Sequence, residues 1–60
     1  MSREETRRVL DAFGVAVVNL ERAIEERAPL DDIMEWDRVV ADRTREVIGL
    51  VETLRSRRIQ

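Results

Sequence analysis

Three features of this chain predict an all-α fold built as an antiparallel helical hairpin. Leu10, Phe13, Val17, Leu20 and Ile24 recur at spacings of three, four, three and four. Beyond Pro29, the only proline, the same rhythm returns as Ile33, Trp36 and Val40, meets Arg43, and resumes as Val47, Leu50 and Leu54. A helix turns once every 3.6 residues, so these spacings put each set on one face. Two such faces on either side of one helix breaker read as two helices joined by a tight turn.

The first helix is expected over about 3–27. Ser2-Arg3-Glu4-Glu5 has the form of a capping box, in which the Ser hydroxyl accepts an N3 amide and Glu5 reaches back. Ala28-Pro29 ends the helix, because proline disfavours helical geometry in the residue before it. The turn is expected at about 28–31 and the second helix over about 32–57. Asp31 or Asp32 is placed to cap it, and Asp32-Ile33-Met34-Glu35 repeats the box pattern. Acids suit the positive end of that helix, and Arg55, Arg57 and Arg58 suit its negative end. Glu25 and Glu26 oppose the dipole of the first helix, at a cost of a few tenths of a kcal/mol each when exposed.

The apolar faces are broad. At 100° per residue, the first helix adds Val9, Ala12, Ala16 and Ala23 beside the five residues of the repeat. The second adds Val39, Ile48 and Val51. Faces this wide contact two neighbours, as in a four-helix bundle. The short alanines would let another helix approach closely. The 60 residues, taken as one hairpin domain over 1–60, cannot bury both faces alone, and the chain holds no Cys or His for a disulfide or a zinc site. Association is the remaining route, and a dimer of hairpins is the simplest form of it.

Association is therefore assigned to Leu10, Phe13, Val17, Leu20, Ile24, Ile33, Trp36, Val40, Arg43, Val47, Leu50 and Leu54. Arg43 occupies a core position of the repeat. It either lays its stem along the seam with the head in solvent, or pairs with an acid and sets register. Asn19, beside the alanines, is a second candidate for setting register. Gly14 and Gly49 fall inside helices, where each costs roughly 1 kcal/mol against Ala, either to relieve crowding or without a role.

Charge is unevenly placed although the net is only −2. Residues 1–8 carry Arg3, Arg7 and Arg8 against Glu4 and Glu5, and residues 55–60 carry Arg55, Arg57 and Arg58 with no acid, a net +4 for the open end. Residues 21–37 carry seven acids against Arg22 and Arg27, a net −5 for the turn end. Two hairpins laid in opposite directions set acid against arginine, so an antiparallel dimer is expected.

Without His, Cys, Lys or Tyr the chain lacks the usual nucleophiles and bases, and it has no phosphate-binding or calcium-binding loop. No catalysis, cofactor or metal is expected. The N-terminus is charged with no apolar run behind it, and no stretch approaches a bilayer span, so a cytoplasmic protein is the expectation.

In length and layout the chain resembles the Rop-type hairpin, which dimerises and binds paired RNA loops. That resemblance is architectural, covers the whole chain and rests on no diagnostic motif. It implies phosphate contact through Arg3, Arg7, Arg8, Arg55, Arg57 and Arg58. Asp11, Glu21 and Glu25 on the first helix oppose a phosphate backbone, and no aromatic residues interleave the arginines for base stacking. The leading expectation is thus a small noncatalytic protein–protein interaction module, a regulator, adaptor or accessory subunit. Its partner is a second copy or a heterologous protein.

Overall fold

Two antiparallel helices, α1 (Arg3–Glu25) and α2 (Leu30–Ile59), make up the computed structural model, which describes residues 3–59. The expected cap at Ser2 lies outside the described residues.

The link between the helices spans residues 26–29, two residues earlier than the expected turn, for a backbone reason. Arg27 takes a left-handed conformation with φ of 54°. This lets the Ala28 N–H donate to the Ala23 carbonyl at 2.9 Å and the Arg27 N–H to the Ile24 carbonyl at 3.2 Å. The pair of bonds is the Schellman closure, which satisfies carbonyls that a helix end leaves without partners. The first helix therefore stops at Glu25, two residues before the expected end.

Pro29 then starts α2. Its carbonyl accepts the Asp32 N–H at 2.9 Å and the Ile33 N–H at 3.2 Å, so the helix begins at Leu30. Asp31 and Asp32 consequently sit inside the first turn and act on the helix dipole, not as the expected caps.

A left-handed residue with a Cβ costs roughly 1–2 kcal/mol, which glycine avoids. Arg27→Gly should therefore stabilise the fold by about 1 kcal/mol once the greater chain entropy of glycine is deducted. A thermal melt would show it as a higher midpoint; a lower midpoint would mean that the turn has another conformation.

The two helices meet along a strip of small residues. Ala16 and Ala23 are 2% and 8% exposed, and Val9, Ala12 and Asn19 on the same strip are half-buried. Opposite them α2 presents Ile33, Trp36, Val40 and Val47, all half-buried, and Leu50, 4% exposed. Short side chains on one helix admit the bulk of the other. This settles how the broad face of α1 divides: its alanine strip takes α2, and the five-residue repeat turns aside.

The helices differ in length. At 1.5 Å per residue, α1 runs about 34 Å and α2 about 45 Å, matching the molecule's long dimension of 48 Å. The last turns of α2 outrun the start of α1, and residues 51–58 are all exposed. No helix among the described residues is long and apolar enough to cross a membrane.

Candidate interaction surface

Each helix carries two parallel stripes one residue apart, and the hairpin uses one of each. On α1 the inward stripe is Val9, Ala12, Ala16, Asn19 and Ala23, with the repeat Leu10, Phe13, Val17, Leu20 and Ile24 beside it. Leu10, Val17 and Ile24 are exposed, while Phe13 and Leu20 are half-buried at the boundary. On α2 the inward stripe is the predicted one, Ile33 to Leu50. Beside it runs a second stripe at spacings of four and three: Leu30, Met34, Asp37, Ala41, Thr44, Ile48 and Val51. Leu30 is 69% exposed, Met34 59% and Ile48 52%.

Helical geometry places both outward stripes on one side of the hairpin. The opposite side is an open groove of about 770 Å³, lined by Glu4, Arg7, Arg8, Asp11, Ala12, Val15 and Ala16 of α1 with Trp36, Val39 and Arg43 of α2. Glu4, Arg8, Asp11 and Val15 step away from the inward stripe in one direction and Leu10, Val17 and Ile24 in the other, with Arg7 on the edge between the two sides. The α2 stripes divide in the same sense. The molecule thus has a charged, grooved side and an apolar side on which Leu10, Val17, Ile24, Leu30, Met34 and Ile48 are all exposed.

The twelve residues assigned to association therefore do not form one surface. Leu10, Phe13, Val17, Leu20 and Ile24 belong to the outward side. Ile33, Trp36, Val40, Arg43, Val47 and Leu50 face α1 within the hairpin, and Leu54 is exposed on the overhang. The outward stripe of α2 escaped the sequence reading as a unit because Asp37, Ala41 and Thr44 break its hydrophobicity. Its unbroken 4-3 spacing was the available signal.

Arg43 follows the first of the two readings weighed for it, and the acid it meets is on its own helix. Its stem lies half-buried on the seam, and its guanidinium donates to the Glu46 carboxylate at 2.7 Å with both side chains near the rim. Exposed pairs of this kind contribute roughly 0–1 kcal/mol, so the contact positions the head more than it stabilises the fold. Arg45 pairs with Asp42 at 2.6 Å, and Arg38 pairs with Glu35 in the same i,i+3 arrangement. The hydrogen bond and charge of Glu35 raise the Arg38 pKa further above its ordinary value.

Asn19 is engaged locally within the hairpin. Its amide donates to the Val15 carbonyl of its own helix at 2.9 Å. Thr44 and Thr53 do the same to Val40 at 2.7 Å and Gly49 at 3.0 Å, a local bond that satisfies the hydroxyl without reaching another element.

A Cβ added at Gly14 or Gly49 would meet nothing within 4 Å, so neither glycine relieves crowding inside the hairpin. The six arginines considered for phosphate contact lie in two places. Arg7 and Arg8 line the groove alongside Glu4 and Asp11, whereas Arg55, Arg57 and Arg58 stand on the α2 overhang. Arg3 is exposed at the start of α1.

Comparison with protein-family models gives no match, and neither the curated proteins nor the solved structures show significant similarity to this chain.

Proposed function

We propose that the chain is a noncatalytic interaction module that works as a dimer of hairpins, its four helices forming a bundle. One observation carries this reading. Ala16, Ala23 and Leu50 are the buried hydrophobic residues among those described, and two of the three are alanines. A core so small cannot offset the chain entropy of ordering nearly sixty residues. The outward aliphatic side supplies the missing burial when it is covered.

The charge pattern favours hairpins that run in opposite directions, since this sets the acidic turn of one against the arginines of the other. The groove and the overhang remain open in such a dimer and are the surfaces through which a regulator or adaptor would meet its partner. Sedimentation equilibrium and melts over a hundredfold range of concentration test the reading. The expected result is a dimer whose melting temperature rises with concentration, because association stabilises only the folded form. A compact monomer with a concentration-independent melt would overturn it.

A further inference from the structure

We propose that a second copy docks on the outward side with its turn at the opposite end, so that α1 packs on α1 and α2 on α2 about a twofold axis level with Val15 and Val39. This deepens the dimer reading above and rests on it.

The first argument is register. In an antiparallel pair of helices, the two positions of a 4-3 repeat meet each other across the seam, layer by layer. For α1 the centred register sets Leu10 on the partner's Leu20 and Phe13 on the partner's Val17. A twofold axis then crosses α1 at the height of residue 15. For α2 the centred register sets Leu30 on the partner's Ile48, Met34 on the partner's Thr44 and Asp37 on the partner's Ala41. That axis crosses α2 at the height of residue 39.

Within the hairpin, α1 ends at Glu25 and α2 starts at Leu30, so residues at one height have numbers adding to 55. The groove is lined by Ala16 and Val39 and by Ala12 and Arg43, as this rule requires. Heights 15 and 39 therefore coincide to within one residue. Two registers set separately on the two helices fall on one axis.

The second argument is charge. In this register the residues flanking the α1 seam put Arg7 opposite the partner's Glu21. Those flanking the α2 seam put Asp31 opposite the partner's Arg45. Symmetry doubles each pair. Sliding by one heptad loses this match. The centred register leaves Ile24 beyond its paired layers; one slide uncovers Val17 and Leu20 as well and sets Asp31 opposite the partner's Glu52, and the other covers Ile24 but uncovers Leu10 and takes Arg7 away from Glu21. The centred register has two like-charge approaches: Arg38 to the partner's Arg38 near the axis, each already holding its own Glu35, and Asp37 to the partner's Asp37, about 6 Å apart along the seam.

Gly14 also finds a role. It flanks the α1 seam next to the axis, directly across from the partner's Gly14. The space left open there within one hairpin allows the two α1 helices to approach closely. Beyond the seam, Arg55 and Arg58 on the overhang reach past the partner's acidic turn.

The chain has no cysteine, so single cysteines report the arrangement directly. Gly14→Cys should form a disulfide-linked dimer in high yield on mild oxidation, while Gly49→Cys, with copies about 30 Å apart along the axis, should not. Both sites have room for the side chain, so neither variant should disturb folding. A charge exchange provides a second reading. Arg7→Glu or Glu21→Arg alone should weaken dimerisation about fivefold or more, and the two together should recover it.

If the wild-type chain sediments as a dimer and Gly14→Cys fails to cross-link, this arrangement is overturned and the dimer reading stands. A charge exchange without recovery also counts against the arrangement. A monomeric wild-type chain removes both proposals.

Discussion

Val17→Asp should convert the proposed dimer into largely unfolded monomer, although Val17 is 40% exposed in the hairpin and is not one of its buried residues. In the proposed dimer Val17 lies against the partner's Phe13, next to the axis. Val17 has only its exposed 40% left to bury, so each copy forfeits about 1 kcal/mol of valine burial. Each introduced carboxylate adds about 1–3 kcal/mol for losing water without a partner. Twofold symmetry counts both terms twice, so the loss is roughly 4 kcal/mol or more per dimer, a weakening of about several hundredfold or more. Circular dichroism should show helicity falling with it, because the hairpin alone has so little core.

Val18→Asp is the matched control. Val18 is 50% exposed and turns away from both α2 and the outward side. The same chemistry one residue along should change stability by no more than about 0.5 kcal/mol. If both variants remain helical dimers, the outward stripe of α1 is not an interface.

Leu50→Ala should have the second largest effect, and for the opposite reason. Leu50 is 4% exposed and is the one large side chain among the buried hydrophobics. Truncating it leaves a cavity within the seam, and buried Leu→Ala changes cost about 2–5 kcal/mol. For a chain of this size each kcal/mol moves the melting temperature by roughly 4–8 °C, so a drop of at least about 10 °C is expected. Leu54→Ala, four residues further on the exposed overhang, should cost far less. A melt in which the two behave alike would mean that α2 packs differently near its end.

Much of the architecture was legible from local chemistry. Proline at 29 ends one helix and begins the next, and this requires no knowledge of the rest of the chain. The 4-3 spacing fixes which residues share a face. The breadth of that face on α1 was visible too, as was the chance for another helix to come close against the alanines. Arg43 was singled out because a charge on a core position is conspicuous.

Other features were not legible in the same way. Arg27 in the left-handed region carries no compositional mark, since such positions are usually filled by glycine or asparagine. Asn19 looked like a cross-helix polar contact because its position allows one. Its nearest acceptor proved to be on its own helix, one turn back. The outward stripe of α2 was obscured by Asp37, Ala41 and Thr44, which interrupt the hydrophobicity that a periodicity search follows. Gly14 and Gly49 look identical in sequence; only their heights along the hairpin separate them.

Periodicity, the proline and the uneven charge by themselves determined two helices, one turn and more apolar surface than a single hairpin can cover. Each is a property of neighbouring residues. Which half of that surface closes the hairpin was decided only by tertiary packing. Rotating α1 by one residue exchanges the alanine strip for the Leu10–Ile24 repeat, and both carry the same periodicity. The choice follows from the bulk that the other helix brings: Trp36, Val40 and Leu50 fit against alanine at close range, which leaves the larger residues of α1 facing outward.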